Sequence, residues 1–248
     1  MLERLLAPRV PNEIADQFKR DMIGIFGENL LSIVLYGSAA SAEYRRGVSD
    51  INFALILKKI DYELLKKASG KLNWWRRSWV PVPLLFTEEE LEDAGDVFPL
   101  EFLSIKQNHK LIYGKDFFSS LKISKADVRK QLEFEIRSKM IHLRQSYLEL
   151  RSNRGNLEGL AAASVTTLST LVEGLLFLKD MEFPPTRKSM FESLGKAYSI
   201  SAKPFILAYE IKYGNAHPDS DELESLVKSL LLSLQSLSEA VDEMVVKR

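Results

Sequence analysis

The sequence predicts an α+β protein in which a small mixed β-sheet domain is followed by an all-α helical bundle. Short runs rich in branched residues, the signature of buried strands, all fall before about residue 114. From Ser124 onward, capped and amphipathic helical runs take over, and that segregation of strands and helices argues for separate domains. At 248 residues the chain is long for one compact core and comfortable for two smaller ones. The expected division is 1–118 and 119–248.

The elements follow in order. Ile14, Phe18, Met22 and Phe26 recur at helical spacing behind Pro11, and Gly27 sits where a left-handed cap belongs. The run from Leu30 to Tyr36 is apolar and ends at Gly37, which reads as a buried strand. Ile51 to Leu57 reads the same way. Val80 to Phe86 is a third strand, but Pro81 and Pro83 demote it to an edge or an irregular entry. Asp61 to Arg77 is helical between those two. Thr87-Glu88-Glu89-Glu90 is a capping box that opens another helix. Ser104 to Tyr113, closed by Gly114, reads as a last short strand or a turn. A second capping box, Ser124-Lys125-Ala126-Asp127, leads into a proline-free run to Arg151. The alanine- and leucine-rich stretch from Asn156 to Lys179 follows. Past Pro184 and Pro185 come helices over Arg187–Tyr198 and Ala202–Tyr213, and a final one runs from Pro218 to Val246.

Composition narrows the function classes. Lysine plus arginine and aspartate plus glutamate number 34 each, so no global charge draws the chain to nucleic acid or to an anionic membrane. The absence of cysteine removes disulfides, thiolate zinc sites and a cysteine nucleophile, and fits a reducing cytoplasm. No uninterrupted apolar run approaches the roughly 18 residues of a spanning helix, so membrane insertion is not expected.

The informative stretch is Gly37-Ser38, eleven residues, then Asp50-Ile51-Asn52. A strand runs into Gly-Ser, where glycine lets the backbone approach a ligand closely and the serine hydroxyl bonds a phosphate oxygen. Ala39-Ala40-Ser41 is small enough to begin a helix whose free N–H groups point at the same anion. Strand alternation puts Asp50 and Asn52 on one face. Two hard oxygen ligands beside a phosphate cradle are what a Mg²⁺-nucleotide site requires.

Leu-Tyr-Gly-Ser-(x)11-Asp-x-Asn resembles the Gly-Ser-(x)10–12-Asp-x-Asp signature of the DNA polymerase β-like nucleotidyltransferase superfamily. The likeness is nearest to small bacterial members with a helical C-terminal partner, such as kanamycin nucleotidyltransferase. It implies that Gly37 and Ser38 grip the triphosphate of an NTP and that Asp50 binds Mg²⁺ as the catalytic carboxylate. It also implies a helical half that shapes the acceptor site and supports a homodimer. In that family two aspartates and a third carboxylate from a later strand hold two Mg²⁺ ions. Here the second aspartate is Asn52, an amide without the charge that lets two cations sit close together. No acid stands in Val80–Phe86, and Glu101 is the substitute nominated for the third ligand. Two-metal transfer rests on charge compensation, so this set predicts nucleotide binding with weak or lost transfer of a nucleoside monophosphate. The alternative is a non-catalytic interaction or regulatory module, such as an antitoxin-like partner protein. The acceptor, a small hydroxylated molecule or a protein side chain, is not written in the motif.

Other features read more plainly. Arg45 and Arg46 lie between Ser38 and Asp50, where they would face a triphosphate, although exposed loop arginines are commonly only solvated. Trp74-Trp75-Arg76-Arg77-Ser78-Trp79 mixes aromatic and basic side chains, yet packing of a helix end on a sheet explains it better than nucleic acid. Arg137 and His142 fit an Arg-(x)4-His spacing that resembles the ribonuclease motif of HEPN helical domains. Positions five apart are about 140° from one another on a helix, which argues coincidence. His109 and His217 are expected at the surface.

Overall fold

A computed structural model describes residues 10–93, 95–151 and 153–244. The chain separates into two units. One runs to Val97 and resumes over Ser104–Lys122, and the other takes Phe98–Leu103 and the described chain from Ile123 on.

The first unit is a four-stranded mixed sheet with flanking helices. Helix α1 (Pro11–Phe26) buries Ala15, Phe18, Met22 and Phe26, a stripe of three- and four-residue steps, and Gly27 at φ +53° closes it. Strand β1 (Leu30–Tyr36) is central and antiparallel to both β2 (Asn52–Leu57) and β4 (His109–Gly114). Beyond β2, strand β3 (Leu84–Thr87) pairs in parallel, giving the order β3-β2-β1-β4. Helix α2 (Tyr62–Arg76) joins β2 to β3, capped by Asp61, whose carboxylate accepts from the Leu64 N–H. Strand β3 starts only after Pro83, because neither Pro81 nor Pro83 can donate to the ladder. Short α3 (Glu88–Asp93) follows it, and α4 (Pro99–Gln107) precedes β4. The stretch read from sequence as a strand or turn from Ser104 is thus the end of α4 followed by β4.

Alternation divides the sheet. Ile33, Leu35, Ile51, Phe53, Leu55 and Leu57 join Phe18, Met22 and Trp75 in one core. Phe18 stacks on Phe53 with ring centroids 4.1 Å apart, and Trp75 meets Phe18 edge-on. Ser32, Val34, Tyr36, Asn52, Ala54 and Ile56 therefore belong to the opposite face.

The second unit is all-α: α5 (Lys125–Leu150), α6 (Arg154–Leu178), α7 (Arg187–Tyr198), α8 (Lys203–Lys212) and α9 (Ser220–Asp242). Ser124 caps α5, and capping boxes open α7 (Thr186/Ser189) and α9 (Asp219/Glu222). By length and mean hydropathy α6 alone among the described helices could cross a membrane. Its Leu157, Ala161, Val165, Leu168, Leu171, Val172, Leu175 and Leu176 are buried within this core, so packing accounts for its apolar character. Sheet first and helices second, the architecture is the expected α+β.

Candidate nucleotide site

Three segments meet at one end of the sheet: the end of β1, the start of β2 and the start of β4. Tyr36 pairs with Asn52 on one side and with His109 on the other, so all three side chains share the face opposite the core. Gly37 follows at φ +73°, a conformation that favours glycine. A Cβ built there would lie 3.7 Å from Asn52 Nδ2, so the Gly37 backbone and the Asn52 amide are near neighbours. The Gly37 N–H is committed to the Asn108 carbonyl at 2.9 Å.

The helix expected behind Ser38 is a single 3₁₀ turn, Gly37–Ala40. Ser41 ends it, donating from both N–H and Oγ to the Ser38 carbonyl and accepting the Glu43 N–H. One turn carries little dipole, so any anion binding here rests on side chains and local N–H groups.

Asp50 is exposed and directly precedes β2. The next residue fixes its direction. Ile51 is buried in the core and donates its N–H to the Trp79 carbonyl at 2.9 Å, which turns Asp50 and Asn52 to the other face. Trp79 itself sits at φ +64°, uncommon and costly for a bulky residue. The strained residue therefore holds the Asp50-x-Asn52 strand in place. Ser49 stabilises the preceding loop, its Oγ accepting the Arg45 N–H and its N–H donating to the Arg45 carbonyl. Arg45 and Arg46 are exposed in that loop. Burial raises the pKa of Tyr44, and the Arg46 charge partly offsets the rise. Burial alone raises that of Tyr36.

The parallel pairing of β3 with β2 begins at Leu84, opposite Ala54, and no acid stands in Val80–Phe86. Glu101 lies on α4 in the helical unit, where its carboxylate accepts from Gln131 Nε2 at 2.8 Å while Gln131 Oε1 accepts the Leu100 N–H. Among the described residues no three acidic or histidine side chains converge to hold a metal ion.

His109 departs from its expected surface position. Its side chain is 9% exposed, with Nδ1 facing the Ile105 and Lys106 carbonyls and Nε2 facing the Asp116 carboxylate at 3.1 Å. Burial would raise the Asp116 pKa, but hydrogen bonds from the Ser119 hydroxyl and N–H, together with His109, hold it at about 2. The sequence signal for this pair was faint: an Asp-x-x-Ser step in the loop after β4. Trp75 is a core residue whose Nε1 donates to Asp21, while Trp74 is half exposed with Lys71 over its ring. Arg137 is bound to Asp242 and also lies within 3.9 Å of Glu133 on its own helix.

No protein-family model matches the chain, and no curated protein does. Among solved structures, spectinomycin adenyltransferase AAD(9) from Enterococcus faecialis, determined with ATP and spectinomycin, is similar at a TM-score of 0.58. The match covers 90% of this chain and 99% of that one, at 13% identity. The fold of this chain is thus similar to that of this adenyltransferase.

Proposed function

We propose that this chain binds a Mg²⁺-nucleoside triphosphate at the Gly37-Ser38 turn, and that transfer of a nucleoside monophosphate to a hydroxyl acceptor is weak or lost. The carrying observation is the approach of Gly37, at positive φ, to Asn52 on the adjacent strand, with Asp50 turned to the same face. Gly37 and Ser38 would contact phosphate oxygens, and Arg45 and Arg46 would add positive charge from the neighbouring loop. Asp50 and the Asn52 carbonyl oxygen suit one hard cation shared with the phosphates. They do not suit a pair of cations, because no acid stands in Val80–Phe86 and among the described residues no three acidic or histidine side chains converge. No transfer step through two metals is therefore assigned. AAD(9) was solved with ATP, which makes ATP the first nucleotide to try. The acceptor would be a small hydroxylated molecule or a protein side chain, as in kanamycin nucleotidyltransferase-like proteins or their relatives.

The same missing carboxylates favour a second reading, a non-catalytic interaction or regulatory module that has kept the fold. Calorimetry with Mg²⁺-ATP and Mg²⁺-GTP, followed by pyrophosphate release over a panel of acceptors, separates the two. Binding that Asp50→Ala abolishes supports the site. Release that survives Asp50→Ala removes the assignment, and absence of any nucleotide binding favours the interaction module. Asn52→Asp should increase Mg²⁺ dependence and raise any measurable turnover by at least about tenfold, because added charge at the metal is the largest lever on such a transition state.

A further inference from the structure

The helical unit holds a cavity of about 190 Å³ between α5, α6 and α9. Its floor is formed by Leu143, Leu168, Leu230 and Leu234, all buried members of the helical core. Its mouth is built from two stripes at helical spacing. Lys139, His142 and Ser146 come from α5, and Ala163, Ser164 and Thr167 come from α6. The hollow has a local cause: where α5 presents Leu143, α6 offers only alanine, serine and threonine, too short to fill the space beside it. Polarity follows the same division. The aliphatic floor gives water no partner and favours an apolar group. The mouth carries an ammonium, an imidazole and the hydroxyls of Ser146 and Thr167, all able to donate, and no carboxylate is among the lining residues. The Ser164 hydroxyl is spent on the Ala161 carbonyl at 2.7 Å. Lys139 Nζ lies 3.3 Å from Glu135 on the preceding turn. Such a pair on one helix is weak, and the ammonium keeps hydrogens for a second acceptor.

We propose that this cavity binds a small carboxylic acid, its short alkyl chain or single ring against the four leucines and its carboxylate at the mouth beside Lys139 and His142. Size limits the ligand, because the volume falls below the ~300–1,000 Å³ of sites for drug-sized molecules. Charge sets the sign of the head group. An ammonium there would meet Lys139, whereas a carboxylate meets only donors, and it shares Lys139 with Glu135. Lys139 and His142 are one helical turn apart, close enough to serve one head group. Every lining residue belongs to the helical unit, so the site is independent of any nucleotide bound at Gly37.

Octanoate is the probe, set against octan-1-ol and octylamine of the same chain length, and each is titrated into the full chain labelled at its leucine methyl groups. Octanoate should shift the methyl resonances of Leu143, Leu168, Leu230 and Leu234 with a dissociation constant of about 0.1–1 mM, while those of Leu35 and Leu55 in the sheet stay in place. The alcohol and the amine should bind at least about tenfold more weakly. Lys139→Gln should weaken octanoate about tenfold and leave octan-1-ol unchanged, whereas a merely structural role for Lys139 would move both. Ala163→Phe, at an exposed position on the rim, should close the mouth and abolish the shifts, with an unchanged circular dichroism spectrum and thermal midpoint. No saturation by about 10 mM octanoate, equal affinity for octylamine, equal loss of acid and alcohol in Lys139→Gln, binding that survives Ala163→Phe, or shifts spread evenly over the sheet leucines would each overturn the proposal.

Discussion

Gly37 concentrates what the candidate site asks of a single residue. Its φ of +73° follows the last residue of β1, and its N–H is spent on Asn108, so the turn is fastened to β4 before any ligand arrives. A Cβ added there would find ordinary contact with Asn52 at 3.7 Å. Space is therefore available, and the cost of Gly37→Ala is conformational, about 1–2 kcal/mol. The thermal midpoint should fall by a few degrees, and a backbone that relaxes away from positive φ should carry Ser38 with it. Affinity for Mg²⁺-ATP is then expected to drop together with stability. Calorimetry that finds full affinity in a destabilised Gly37→Ala variant would separate the turn from nucleotide binding. The neighbouring Asn52 was readable in the sequence as the weak member of a metal pair. What the sequence withheld was the engagement of Glu101, whose carboxylate accepts from Gln131, because no spacing rule ties those two residues.

At the scale of elements, β4 is a largely exposed edge strand, and the chain secures it at its entry. His109 spans the last carbonyls of α4 and the Asp116 carboxylate, and Asp116 in turn holds the Ser119 turn. The Asp116 pKa is lowered from 3.8 to about 2, so the native state favours the ionised form more than the unfolded chain does. That contribution is complete above about pH 4 and is lost as pH falls through 2. Asp116→Asn removes it. Urea melts of wild type and variant should differ most near neutrality and converge between pH 4 and pH 2, while a gap that stays constant would show that the carboxylate charge is not what stabilises the loop. The strong elements were legible beforehand: the Phe18 and Met22 stripe of α1, the apolar run of β2, and the capping box at Thr87; at Ser124 the expected box is a one-way cap, its hydroxyl accepting from the Ala126 and Asp127 N–H groups. α4 was not, and β4 was read only as a strand or turn begun too early at Ser104, because a nine-residue helix opened by Pro99 and a largely exposed edge strand leave little periodicity to read. His109 escaped for a related reason, since its partner comes from a loop and no spacing rule ties the two.

For the whole molecule, the sequence offers one change of character near 118, yet the chain visits the helical unit earlier, over Phe98–Leu103. Six residues carry no domain signature. Their membership is set by contacts that only folding reveals. Leu100 is 1% exposed inside the core of α5, α6 and α9, and its N–H is held by Gln131. Gly174 on α6 leaves room for it, since a Cβ there would meet Leu100 Cδ2 at 2.3 Å. Leu100→Ala should therefore destabilise the helical unit by about 2–5 kcal/mol, the usual cost of an emptied core position. Hydrogen exchange can locate the loss. Amides of α5 and α6 should exchange faster by one to three orders of magnitude, while those of β1 and β2 keep their protection, because a residue stabilises the core it fills rather than the segment it is numbered with. Equal acceleration in the sheet would mean that the two cores unfold as one cooperative body, and the division of the chain at Phe98–Leu103 would then have no energetic content.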